Sequence, residues 1–200
     1  MISSGNKCLE APPGIAFAIV AKALLTRKAT HARTYSLDLY DQWLALETSG
    51  EWRTTPPTHV AQSLHRALSM QAAEGTQARR LRYERVRDRV TTGLRPFGLT
   101  PVLRDDVQSP ICIAFQAPHW ITSQDEFDEL YNFLAVERIY IYAKFHTTSQ
   151  SFRVGCIGQI QEDWPDRLIE RIGRLAPPIQ PRRETKRYSS RQPYQEQINA

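Results

Sequence analysis

Three short stretches carry side chains able to do chemistry: SSGNKC at residues 3–8, TTPPTH at 54–59 and SFRVGCIG at 151–158. The first sets Lys7 among small residues, with Pro12-Pro13-Gly14 and an apolar run close behind. A lysine in such a turn, ahead of a buried strand, suits a reactive amine held in a cleft. Lysine gives up its charge readily when desolvated or set beside another cation, and the neutral amine attacks carbonyl carbon. His59 and His65 read as helix-surface residues rather than catalytic bases. Cys8, Cys112 and Cys156 form no CxxC pair and leave an odd count, so reduced, mostly buried thiols are expected. No metal site is expected.

Composition narrows the classes. Two hundred residues suffice for one domain, or one domain with a lobe attached. A hydrophobic fraction of 41% and a charged fraction of 24% are ordinary for a globular protein in water. No apolar run approaches the ~20 residues that a membrane span needs. The apolar stretch 14–25 follows Pro12-Pro13, is interrupted by Lys22 and has no basic leader, so it is not read as a signal peptide and a cytoplasmic protein is expected. The formal charge is +5, but residues 179–200 hold Arg182, Arg183, Lys186, Arg187 and Arg191 against Glu184 and Glu196, a net of +3. That Pro/Gln/Ser/Arg tail is expected to be disordered. The other basic run, 79–89, shares a helix with the apolar stripe Tyr83, Val86, Val90 and Leu94. Its arginines, interleaved with Glu84 and Asp88, are expected on a solvated face, and a nucleic-acid partner is not expected.

The positioning elements follow from periodicity. Residues 15–20 read as a fully buried strand. Ser36 is placed to cap a helix carrying Leu37, Tyr40, Trp43 and Leu44, and Gly50 to end it. Pro56 and Pro57 keep 51–58 out of a helix. A long helix runs from Thr58 to near Gly75 and a second over about 78–94. Strand-like segments at 111–115, 139–142 and 152–157 then alternate with helices that open at Ser123, in a capping box with Glu126, and at Asp163. This alternation predicts an α/β layer structure.

The three chemical stretches, their order, and the long interval between Lys7 and Arg153 resemble the class V, fold-type-I pyridoxal-phosphate aminotransferases. The supporting words are ISSGNKCLEAPPGIAFAI, SLDLYDQW, EWRTTPPTH, IYAKFHTTSQ and FRVGCIG, and the likeness runs from residue 2 to residue 175. Within that group they look most like the transaminases that pass the amino group of 2-aminoethylphosphonate to pyruvate. The resemblance implies that Lys7 forms the Schiff base with pyridoxal 5'-phosphate and afterwards moves a proton, and that Arg153 holds an acidic group of the substrate through two parallel hydrogen bonds. It implies that Thr55 reaches the cofactor phosphate of the neighbouring subunit in a homodimer, although Thr54 stands where the family commonly has an aromatic residue. An amine and a 2-oxo acid would be the substrates, giving phosphonoacetaldehyde and alanine in phosphonate degradation.

Family members carry, ahead of the lysine, a phosphate-binding turn, an aromatic stacked on the cofactor ring and an aspartate paired with the ring nitrogen. None has a counterpart before Lys7. The chain is therefore expected to be a truncated, C-terminal part of such an enzyme: 1–57 the end of the cofactor-binding large domain, 58–178 the small α/β lobe and 179–200 the tail. Strand 15–20 would lack the parallel neighbours that a doubly apolar strand requires. The competing expectation is a catalytically inactive remnant or interaction module that keeps the small lobe.

Overall fold

The computed structural model describes residues 1–26 and 32–176; the tail at 179–200 lies outside the described residues. Its centre is a three-stranded antiparallel sheet. Strand β1 (Ile2–Ser4) and strand β2 (Ala16–Ala18) form a separate ribbon, and β3 (Thr100–Pro101), β4 (Cys112–Gln116) and β5 (Ser151–Gly155) form the sheet in the order β3-β4-β5. In β4 and β5 alternate residues point inward, as a period of two requires: Ile113 faces Val154 across the ladder, and Phe115 faces Phe152. Arg153, between Phe152 and Val154, points out.

Among the described residues six α-helices accompany these strands: α1 (Lys22–Leu25), α2 (Leu39–Ser49), α3 (Thr58–Glu74), α4 (Thr76–Leu94), α5 (Gln124–Ala135) and α6 (Trp164–Leu175). Val90 and Leu94 of α4, Phe127, Leu130 and Leu134 of α5, and Leu168 and Ile172 of α6 join the inward strand residues in one core. Phe127 is its hub, with ring centroids 6.0 Å from Phe145 and 5.4 Å from Phe152. Helices α4 and α6 touch where Gly93 lacks a side chain. A Cβ there would stand 2.2 Å from Ile169 Cδ1, so only glycine allows the crossing. The capping box at Ser123 forms as the sequence predicts, with Ser123 accepting from the Glu126 amide and Glu126 accepting from the Ser123 amide.

Several expectations are corrected. Residues 15–20 are not a buried, orphaned strand: β2 pairs antiparallel with β1, Ile2 opposite Ala18, while Ile19 is 60% exposed. A two-stranded ribbon has no covering layer on both faces, and its apolar residues stay at the surface. Asp38, not Ser36, caps α2, accepting from the Asp41 amide at 3.0 Å; Ser36 sits in a 3-10 turn over Tyr35–Leu37 just before it. Residues 139–142 do alternate, with Ile139 and Ile141 buried and Tyr140 and Tyr142 exposed, but they are not a strand. Arg138 takes a left-handed conformation (φ 57°), and the Ile139 amide turns back to the Leu134 carbonyl to close α5. One hydrogen bond, from the Tyr142 amide to the Arg153 carbonyl at 3.3 Å, ties the segment to β5. Asp163 occupies the position before α6 without a capping side-chain bond. Among the described residues no helix is long and apolar enough to cross a membrane.

Candidate active site

Lys7 sits on a turn that its own backbone closes. The Glu10 amide donates to the Lys7 carbonyl at 2.8 Å, and the Ala11 amide to the Gly5 carbonyl at 3.0 Å. Gly5 is buried beneath, and a Cβ there would come within 3.3 Å of both Ala11 Cβ and Leu64 Cδ1, so the turn lies close against α3. The Lys7 side chain is exposed and lines a cleft of about 420 Å³. Asn6, Glu10, Ala67, Arg79, Gly158 and Gln159 are among the other residues that line it.

Helix α4 anchors this turn through charge. Arg79 is 3% exposed, which overturns the expectation that the 79–89 arginines are all solvated. Its Nε donates to Glu74 Oε2 at 2.7 Å and its Nη1 to the Cys8 carbonyl at 2.9 Å. One turn on, Arg82 donates from Nε to Glu74 Oε1 at 2.7 Å, from Nη2 to Glu10 Oε1 at 2.9 Å, and from Nη1 to the Gly158 carbonyl. The Tyr83 hydroxyl also donates to Glu10 Oε1, and Gln159 Nε2 to Glu10 Oε2 at 3.1 Å. Glu10 holds this position with a left-handed backbone (φ 61°), uncommon for a residue other than glycine.

The titration behaviour matches the geometry. Burial works to raise the Glu10 carboxyl, but hydrogen bonds from Tyr83, Arg82 and Gln159 outweigh it and hold it below the usual range. The Arg82 bond, helped by Arg79 against some desolvation, brings Glu74 down to about 2. Burial, then the Glu10 carboxylate, pushes the Tyr83 phenol up. Glu10 and Glu74 are therefore held ionised and Tyr83 protonated, the forms in which they bind their partners.

The other candidates stand elsewhere. Thr55 is exposed just before Pro56, Arg153 is exposed on the outer side of β5, and neither lines the Lys7 cleft. His59 and His65 are exposed on α3. Cys156 is buried, its thiol pushed up to about 12 by desolvation, while Cys8 and Cys112 are half-buried; all three are free thiols. Among the described residues no three His, Cys, Asp or Glu side chains gather as a metal ion would require. Sequence reasoning missed Glu10, Arg82 and Gln159 and misplaced Arg79. The signal for Arg79 was present: it lies four residues before Tyr83, on the same inward stripe as Val86, Val90 and Leu94.

Comparison with known proteins supplies the lineage. No family model matches the chain. Among curated proteins it is similar to 2-aminoethylphosphonate–pyruvate transaminase 1 of Paraburkholderia xenovorans, 36% identical over 88% of this chain and 48% of that one. It is 39% identical to the 2-aminoethylphosphonate–pyruvate transaminase of Phocaeicola vulgatus, over 88% of this chain and again 48% of the relative. The chain thus spans about half the length of the curated relatives it matches. Among solved structures it superposes on an alanine–glyoxylate aminotransferase from Nostoc sp. with a TM-score of 0.73 at 20% identity, covering 87% of this chain and 47% of that one. A pyridoxamine–pyruvate aminotransferase from Mesorhizobium loti gives a TM-score of 0.68 at 20% identity, covering 88% and 46%. These structures share the fold, and the curated relatives carry the kinship. Over the stretch it spans, the chain is kin in sequence to the 2-aminoethylphosphonate–pyruvate transaminases and shares the fold of the fold-type-I aminotransferases.

Proposed function

We propose that this chain contributes the amine and the substrate-anion site of a transaminase that moves the amino group of 2-aminoethylphosphonate to pyruvate. The observation that carries the reading is Lys7, presented by an anchored turn at the mouth of a cleft in a chain of this kinship. Pyridoxal 5'-phosphate, when bound, supplies an aldehyde and an electron-withdrawing ring. The cleft fits the covalent part of that requirement: Lys7 Nζ can bond to the aldehyde carbon. For the ring it offers little, since no aromatic side chain lines it, and Arg79 Nε and Nη1 are already taken by Glu74 and the Cys8 carbonyl.

The chain's own groups then divide the work. Lys7 Nζ would hold the cofactor through its aldehyde carbon and would move a proton at the substrate carbon that bears nitrogen. Arg153 offers a planar fork to the phosphonate or carboxylate, on a strand held rigid by five paired residues of β4. Thr55 would hold the cofactor phosphate across a homodimer interface. The free thiols support a cytoplasmic setting. The kinship favours this reading over an interaction module.

The test is a chimera in which this chain is joined to the half of the Paraburkholderia relative that it does not cover. With cofactor, 2-aminoethylphosphonate and pyruvate it should form alanine, and Lys7→Ala should abolish that. Arg153→Ala should cost roughly 2–4 kcal/mol in kcat/KM, and Arg153→Lys should recover little of it. Arg80→Ala, at an exposed α4 arginine, is the control and should leave kcat/KM unchanged. Equal losses for Arg153→Ala and Arg80→Ala would overturn the anion site, and an active Lys7→Ala chimera would overturn the amine.

A further inference from the structure

We propose that Glu10, Arg79 and Arg82 are positioning residues for Lys7: the two α4 arginines clamp the turn at Cys8 and Glu10 and so aim the amine into the cleft. The inference rests on the reading of Lys7 given above. It also depends on how the clamp is built. The turn is gripped on the residue after the lysine, where Arg79 Nη1 takes the Cys8 carbonyl, and again three residues after it, where the Glu10 carboxylate takes Arg82, Tyr83 and Gln159. The grip is largely shielded from water, with the Arg79 side chain 4%, the Glu10 side chain 11% and the Arg82 side chain 20% exposed. Packing alone does not ask for this. A turn that merely needed covering would be served by apolar contacts, whereas a desolvated ionic network is costly unless its geometry is good, and it defines one arrangement.

The clamp also reaches Gly158 and Gln159, which line the same cleft. Arg82 donates to the Gly158 carbonyl and Glu10 accepts from the Gln159 side-chain amide, so that stretch of the wall and the lysine turn hang on the same two side chains. That wall continues directly from β5, which carries Arg153. Glu10 and Arg82 therefore set the spacing between the lysine turn and that part of the wall, while Arg79 fixes the turn at Cys8. Tyr83 completes the arrangement, since its hydroxyl holds the oxygen of Glu10 that Arg82 also takes.

Two readouts on the whole chain test this. Lysines are labelled with pyridoxal phosphate and cyanoborohydride and mapped by peptide mass spectrometry, with exposed Lys144 as the internal reference. Amide hydrogen exchange is followed at Glu10 and Ala11, whose amides close the turn, and at the β4–β5 ladder. In the unmodified chain Lys7 should be labelled faster than Lys144. Glu10→Ala and Arg79→Ala should each lower the Lys7-to-Lys144 ratio severalfold and speed exchange at the turn by about tenfold, with the β4–β5 ladder unaffected. Glu10→Gln, which keeps an acceptor for Tyr83 but loses the ion pairs, should fall between. A ratio that stays put while turn amides exchange faster would leave the clamp as a structural tie and overturn its positioning role. Turn amides unchanged in every variant would overturn the clamp itself. If the unmodified chain labels Lys7 no faster than Lys144, the reading of Lys7 fails, and any positioning role fails with it.

Discussion

The first fifty residues and the sheet lobe are built from similar apolar residues, and they treat them oppositely. In the lobe Phe115, Phe127 and Phe152 are wholly buried, and every one of α4, α5 and α6 buries part of its inner stripe. In the N-terminal region neither α1 nor α2 buries a single residue, and Ile2, Leu24 and Leu37 are more than half exposed. The difference is one of counter-surface: an apolar stripe is stabilising only where another element removes it from water. The Lys7 turn is the exception within its region, and it is tied down mainly by hydrogen bonds to charged side chains.

The largest contrast should appear on truncating the hub. Phe127→Ala should cost roughly 3–5 kcal/mol of unfolding free energy by chemical denaturation, because the neighbouring rings of Phe145 and Phe152 cannot collapse into the space. A loss below about 1 kcal/mol would mean that the lobe is not packed as described.

A smaller effect separates the clamp from both. Glu74, brought down from 4.5 to about 2 by Arg82 and Arg79, prefers to be ionised in the folded chain. The unfolded chain takes up its proton first, so Glu74's contribution is complete above about 4.5 and is lost as pH falls toward about 2. In Glu74→Gln the stability should therefore fall less steeply over that interval in acid-titrated denaturation curves. An identical slope in the variant would show that the carboxylate is not held by the arginines.

The smallest effect should come from the exposed region. Leu37→Ser, at a side chain 74% exposed, should change stability by no more than about 0.5 kcal/mol in the isolated chain. A loss several times larger would show that the N-terminal apolar residues are covered, and the contrast between the regions would disappear.

By itself the sequence determined the helices and their ends where the signals are local. The Ser123–Glu126 box, Gly50 and Gly75 lie where their backbone roles demand, and the strands around Ile113 and Val154 follow from alternation within five residues. It also placed Lys7 in a turn, because small residues and prolines fix that locally, and its quoted words pointed to the right family. Only the tertiary structure decided which apolar runs are covered, since a stripe such as that of residues 15–20 looks the same whether or not a second layer meets it. It alone assembled the clamp as well: Glu10 lies over seventy residues from Arg82 and Tyr83 and 149 from Gln159. No local pattern encodes such a meeting; it exists because the arginine face of α4 is brought against the lysine turn, where a guanidinium leaving water needs a carboxylate within reach.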